Sequence, residues 1–344
     1  MLVGYKQVEG DTFWHLKVGE TIVKTLSVPK TDPFSWTAGG LPWHAHEWLW
    51  EALAWAGFSL AGKYGVWALT AAGALLFGGS LFALTRRAGA WGLFLAGFAV
   101  LAASPYWDAR PHPLAQGLWA RWVLLLAERA GGWGRRKAFL AALGLHAFWA
   151  NAHASAPFGV ATALAFALAN RKETRYRWTL AGAAAGACLN PWGPEIFWYS
   201  FLVSRHRTIV DSVGEWLSPN FHEPDLLASF VLLAAACMWG CLRLAERGEK
   251  IPAAQGLLAV GTCLMALYSM RHLPYYFFSA AWLASACLER RPFEAAPGFV
   301  PRALAAAVAA VLFVGGVAVW PPNWTDLTRE ASDLPEGAVA FMKE

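Results

Sequence analysis

Side chains able to hold or transfer a proton stand in short, widely spaced clusters. Asp11 and His15 are one helical turn apart in GDTFWHLKVGE. His44, His46 and Glu47 share PWHAHEWLWE, and Arg110 and His112 share RPHP. Asn151 and His153 share NAHAS, Asn190 and Trp192 share LNPWG, Glu215 lies in GEWLSP, and Arg271 and His272 share RHLP. A positioned carboxylate takes the proton from an attacking hydroxyl. Two Arg–His pairs suit an anionic ligand such as a phosphate. Asparagine side chains at helix ends either bind hydroxyls or cap the helix. Asp11 reads equally well as a helix N-cap and as a catalytic carboxylate, and the two roles are compatible. His15 falls where it shares a face with Asp11. Glu47 is an ion-pair partner or a second acid near Asp11, and Asp32, directly before Pro33, is a turn residue.

Other chemistry is excluded or disfavoured. In HEWLW, Trp50 stands where a zinc-binding helix carries its second His, so no metal site is expected and no cofactor is called for. There is no GxxxxGK[ST], no GxGxxG after a strand and no G-x-S-x-G, which leaves nucleotide chemistry without support. The five cysteines, Cys188, Cys237, Cys241, Cys263 and Cys287, lie in apolar stretches without metal-ligand spacing and read as small hydrophobes.

The elements that must position these clusters are membrane helices. The 344 residues are 57% hydrophobic and 15% charged, against about a quarter charged in soluble domains. A net charge of +5 gathers on no single face, so no nucleic-acid partner is implied. With about 20 apolar residues needed to cross a bilayer, ten spans are expected near 65–85, 89–104, 111–129, 136–152, 154–170, 177–190, 225–245, 252–269, 274–288 and 300–320. The fold expected is therefore all-α and polytopic.

Alternate connections differ sharply in charge. One set holds sixteen Arg or Lys, among them Arg86, Arg87, Arg135, Arg136, Arg171, Lys172, Arg243 and Arg290, and the other holds four, Arg110, Arg205, Arg207 and Arg271. The positive-inside rule puts the first set in the cytoplasm. Every cluster named above then falls on the extracytoplasmic side, as do fourteen of the 21 Trp. An aromatic belt would favour both interfaces, so the bias implies amphipathic elements and a cavity on one side.

Residues 1–64 supply those elements as an extracytoplasmic loop. Segments 12–25 and 46–60 have the apolar spacing of helices lying in the interface, joined by the turn-rich SVPKTDPFSWTAGGLPW. The transmembrane domain is 65–320, and 321–344 reads as the opening of a further extracytoplasmic segment. An exported N-terminus without a signal peptide implies a span upstream of residue 1.

Taken as a set, D-x-x-W-H-L-x-x-G-E at 11–20, TDPFSWT at 31–37 and PWHAHEWLWE at 42–51, followed by RPHP, NAHAS, LNPWG, GEWLSP and RHLP, resemble a bacterial group similar to the GT-C superfamily of membrane glycosyltransferases. The resemblance implies a first outer loop with two interfacial helices and an acid near its start. It also implies a sugar donor linked to polyprenyl phosphate and transfer outside the cytoplasmic membrane. On that basis Asp11 is the expected base, with His15 and Glu47 in support. Arg110, His112, Arg271 and His272 would hold the donor phosphate, and His46, Asn151, His153, Asn190, Trp192 and Glu215 the sugar or acceptor. A transporter or lipid-handling protein without bond chemistry is the alternative. Transporters usually place ionisable groups near the bilayer midplane, unlike the one-sided clusters here.

Overall fold

The computed structural model describes residues 10–129, 132–205 and 213–288. The expected span 300–320, the segment 321–344 and the basic residues Arg207, Arg290, Arg291 and Arg302 lie outside them. The described residues are all-helical. The only bridge between extended residues is an isolated one, from Thr31 to Pro42.

Among the described residues twelve α-helices follow one another: α1 Gly10–Thr25, α2 Trp48–Ala61, α3 Lys63–Thr85, α4 Gly89–Ala103, α5 Pro111–Leu124 and α6 Arg135–Ala152, then α7 Ala156–Ala169, α8 Thr174–Ala187, α9 Ile196–Arg205, α10 Pro224–Glu246, α11 Ala253–Tyr268 and α12 Leu273–Leu288. Their ends obey local chemistry. Proline sits in the first turn of α5, α7 and α10, where its missing N–H costs nothing, and Gly62 and Gly89 turn the chain with positive φ. Nine of the ten expected spans coincide with helices, and the tenth lies outside the described residues. Two stretches are long and apolar enough to cross a membrane, Lys63–Tyr106, which Gly89 divides, and Pro224–Glu246. Helix α9 was not foreseen: its ten residues are too few for a span, and they fell inside an outer connection.

α3 packs on α5, α6 on α8, and α12 on α4, α10 and α11. α5 and α12 form the core. Trp119 and Trp122 of α5 are fully buried and donate their indole N–H groups to Thr162 Oγ1 at 2.9 Å and Gly159 O at 3.0 Å. A buried indole must find such a partner. By contrast α10 is apolar but only 17% buried over its most apolar stretch, and it exposes Val231, Leu232, Met238 and Leu242. The free Cys237 donates to Ala280 O at 3.1 Å, a packing role for its thiol.

Side-chain contacts sort the connections into two groups. One holds the basic connections, with Arg86 paired to Glu128 at 3.6 Å and the Tyr176 hydroxyl donating to Leu126 O at 3.3 Å. The other is covered by α1 and α2, the two helices expected to lie in the interface. They meet closely at Gly19, where a Cβ would overlap the Glu51 carbonyl. Gly19→Ala is therefore expected to separate α1 from α2 and to cost about 1–3 kcal/mol. A thermal unfolding midpoint equal to that of the unmodified chain would contradict this packing.

Candidate functional site

The loop from Trp107 to Arg110 is held from two sides. Thr12 Oγ1 of α1 donates to Ala109 O at 3.2 Å, and Thr70 Oγ1 of α3 donates to Asp108 O at 3.1 Å. A second pair of loops is fastened likewise: Ser269 Oγ donates to Glu215 O, and Met270 N to Leu217 O, both at 2.9 Å. These backbone anchors bring Asp11, Asp108, Arg110, Glu215 and Arg271 to one end of the bundle, although up to 260 residues separate them in the chain.

Arg110 is the hub. Its guanidinium donates to Asp11 Oδ2 at 3.1 Å, to Asp108 Oδ2 at 2.8 Å and to Glu215 Oε2 at 2.7 Å. The other oxygen of Asp11 accepts from the Trp14 indole at 3.1 Å. Asp11 thus spends its oxygens on an arginine and a tryptophan, with its side chain 49% exposed at the rim. Burial pushes the Asp108 carboxyl above the usual carboxylate range, against the pull of Arg110.

Glu215 links this hub to a second cation, since its Oε1 lies 3.5 Å from Arg271. The Arg271 guanidinium stacks over Trp216, 4.3 Å from the ring centre, and donates to His112 Nε2. With Nε2 accepting, the proton of His112 resides on Nδ1, which is buried and has no partner among the described residues. His112 meets His153 edge to face at 4.8 Å.

His153 opens a third group around Glu47. Glu47 Oε1 lies 3.2 Å from His153 Nε2 and 3.6 Å from His46 Nε2, and its Oε2 lies 3.7 Å from His15 Nε2. The other ring nitrogen of His15 bonds Glu51 Oε1 at 3.0 Å. Burial alone would raise the Glu47 carboxyl, but the surrounding imidazoles more than offset it and hold Glu47 well below the carboxylate range. Burial lowers the His46 pKa, yet the adjacent Glu47 charge wins and raises it. Burial dominates for Glu51, which is raised, and for His153 and His272, each lowered to about 4.

Polar contacts therefore run from Asp11 through Arg110, Glu215 and Arg271 to His112, whose ring meets that of His153 edge to face and so adjoins the group of Glu47 and His15. Asp11 and Glu47 stand at opposite ends of this series, so Glu47 pairs with histidines rather than with Asp11. His15 likewise turns from Asp11 toward α2, its ring stacked on Trp14 at 3.7 Å. A cavity of about 60 Å³ opens beside the middle of this series. His112, His153, Arg271 and His272 line it, with Gln116, Ser155 and Tyr275.

The remaining expected site residues are built into the scaffold. Asn151 accepts from the Trp48 indole at 2.8 Å and donates to Ala147 O and Leu189 O, both at 2.7 Å, which staples α6 to the end of α8. Asn190 closes its own loop, bonding Ala187 O, Gly193 O and Trp192 N. The Trp192 ring faces His44 at 5.5 Å, and His46 lies against Tyr199 at 5.0 Å. Asp32 accepts from the N–H groups of Phe34 and Ser35, the turn role expected of it. Six participants were not foreseen as site residues: Glu51, Asp108, Gln116, Ser155, Trp216 and Tyr275. Two had local signals, Glu51 one turn beyond Glu47 on α2 and Asp108 two residues before Arg110. Among the described residues no group of three His, Cys, Asp or Glu side chains is arranged to hold a metal ion.

The low values of His153 and His272 set a pH dependence. Both stay neutral in the folded chain down to about 4 but take up protons near 6.5 once unfolded. Stability is therefore expected to fall as pH drops from about 6.5 to about 4. His46, whose pKa is raised, contributes in the opposite sense, and most of its change falls above that window. Thermal unfolding across pH 6.5 to 4.5 tests this, and a midpoint that stays level or rises on acidification would contradict it.

Comparison with protein-family models, with curated proteins and with solved structures finds no match to this chain.

Proposed function

We propose that the chain is a membrane glycosyltransferase that moves a sugar from a polyprenyl-phosphate donor to an acceptor hydroxyl on the extracytoplasmic side of a bacterial inner membrane. The ten-span topology is part of this reading. The apolar, largely unburied α10 and the separation of basic connections from the acid–histidine end both support it.

The observation that carries the reading is the contact of Arg271 with His112 Nε2 in the wall of a cavity, where the His112 Nδ1–H is buried and has no partner among the described residues. A buried donor without an acceptor costs about 1–3 kcal/mol, and an anionic oxygen would satisfy it beside a cation. Outside the cytoplasm a sugar must arrive on a lipid phosphate that the bilayer itself concentrates. Arg271, His112 and His272 would bind that phosphate and stabilise it as it leaves. Arg110, held by three carboxylates, would chiefly orient Asp11 and Glu215. Asp11 at the exposed rim would take the proton of the acceptor hydroxyl, and a single displacement would invert the anomeric carbon.

Reconstituting the chain in vesicles with a radiolabelled sugar on polyprenyl phosphate tests the assignment. Appearance of label in a water-soluble or lipid acceptor supports it. Tight binding of the lipid with no transfer to any acceptor would favour the lipid-handling alternative.

A further inference from the structure

Beside the same cavity lies an arrangement that sugar transfer leaves unused. Ser155 is the residue before α7, where a serine side chain usually caps the helix, yet its hydroxyl makes no cap bond. It points instead to His153, with Oγ 2.7 Å from Nδ1. The Ser155 backbone N–H also donates to that nitrogen, at 3.0 Å. A backbone N–H is always a donor, so Nδ1 must be an acceptor and the imidazole proton must sit on Nε2. That proton faces Glu47 Oε1 at 3.2 Å. Hydroxyl, imidazole and carboxylate are therefore aligned in one order, with the tautomer set by the backbone. This is the order in which a serine is activated for nucleophilic attack. The Trp149 indole donates to Ser155 Oγ at 3.1 Å, a donor that favours negative charge on the oxygen. Ser155, His153, Arg271 and Tyr275 share the cavity wall with the apolar Phe158 and Met265.

We infer that Ser155 is a nucleophile activated by His153 and Glu47, and that the cavity accepts the acyl group of a short-chain carboxylic ester. Ser155 Oγ bonds to the ester carbonyl carbon while its proton moves to His153 Nδ1, and Glu47 balances the imidazolium. Arg271 stabilises the oxyanion. The bond from carbonyl carbon to the alcohol oxygen then breaks, and the proton on Nδ1 passes to that oxygen. Water or an acceptor hydroxyl releases the acyl group from Ser155 by the same route. This activity uses neither Asp11 nor Arg110, and it shares Arg271 and the cavity wall with the proposed phosphate site.

A fluorophosphonate probe tests it on the purified full chain, with the modified residue located by peptide mass. The expected result is an adduct on Ser155 and hydrolysis of p-nitrophenyl acetate, both lost in Ser155→Ala. His153→Gln should slow labelling by about 10²–10⁴-fold, the usual worth of a general base, and Glu47→Gln should slow it as well. Absence of an adduct on Ser155 in the unmodified chain would overturn the inference. So would labelling at an unchanged rate in a folded His153→Gln chain.

Discussion

Asp11→Asn is expected to lower the rate of sugar transfer by about 10²–10⁴-fold, the usual contribution of a positioned proton acceptor, while leaving the fold in place. The structural cost is small because of what Arg110 keeps. Without the Asp11 charge its guanidinium still has Asp108 at 2.8 Å and Glu215 at 2.7 Å, so no buried cation is left uncompensated. Asp11 is itself about half exposed, and an ion pair at such a site is worth about 0.2–1 kcal/mol. The asparagine also retains an oxygen for the Trp14 indole. Loss of transfer with an unchanged melting temperature and unchanged donor affinity marks Asp11 as the base. Transfer at the unmodified rate would remove it from that role.

Arg271→Ala should act on donor binding instead. A hydrogen bond to a charged group contributes about 1.5–3 kcal/mol, so affinity for the lipid phosphate is expected to fall about ten- to a hundredfold, with a smaller change in the rate at saturation. Glu215 remains paired with Arg110 in this variant, which limits collateral damage. Arg271→Lys should fall between the two, because lysine keeps the charge but loses the planar stack on Trp216 and the forked donor geometry. Binding measured with polyprenyl phosphate alone separates this effect from catalysis. An affinity unchanged in Arg271→Ala would mean that the phosphate lies elsewhere.

The helices and the gathering of chemistry at one end were legible from the sequence for physical reasons. Apolar runs bounded by Pro111, Pro157, Pro224 and the turning Gly89 mark helix ends through backbone geometry. The charge contrast between alternate connections alone sorts Asp11, Glu47, Arg110, His153, Glu215 and Arg271 to one side. What the sequence does not encode locally is pairing. Asp11 and His15 are one turn apart, yet one side chain swings to Arg110 and the other to Glu51, because α1 lies between the loop at Asp108 and the face of α2. Glu47 is drawn to His15, His46 and His153 by the docking of α2 against α1 and α6, a tertiary event without a sequence period. Asn151 and Asn190 read as hydroxyl binders or caps, and backbone carbonyls take both. Helix α9 was not legible because its ten residues, among them Ser200, Ser204 and Arg205, are too few for a span.

In the proposed function this end of the chain binds a polyprenyl-phosphate sugar with its phosphate at Arg271 and His112 and its sugar toward Asp11. A structure of the chain with such a donor bound tests it most directly. Phosphate oxygens are expected within hydrogen-bond distance of the Arg271 guanidinium and His112 Nδ1, with the anomeric carbon open to an acceptor on the Asp11 side. A donor seated away from Arg271 and His112, with their mutual contact unchanged, would contradict it.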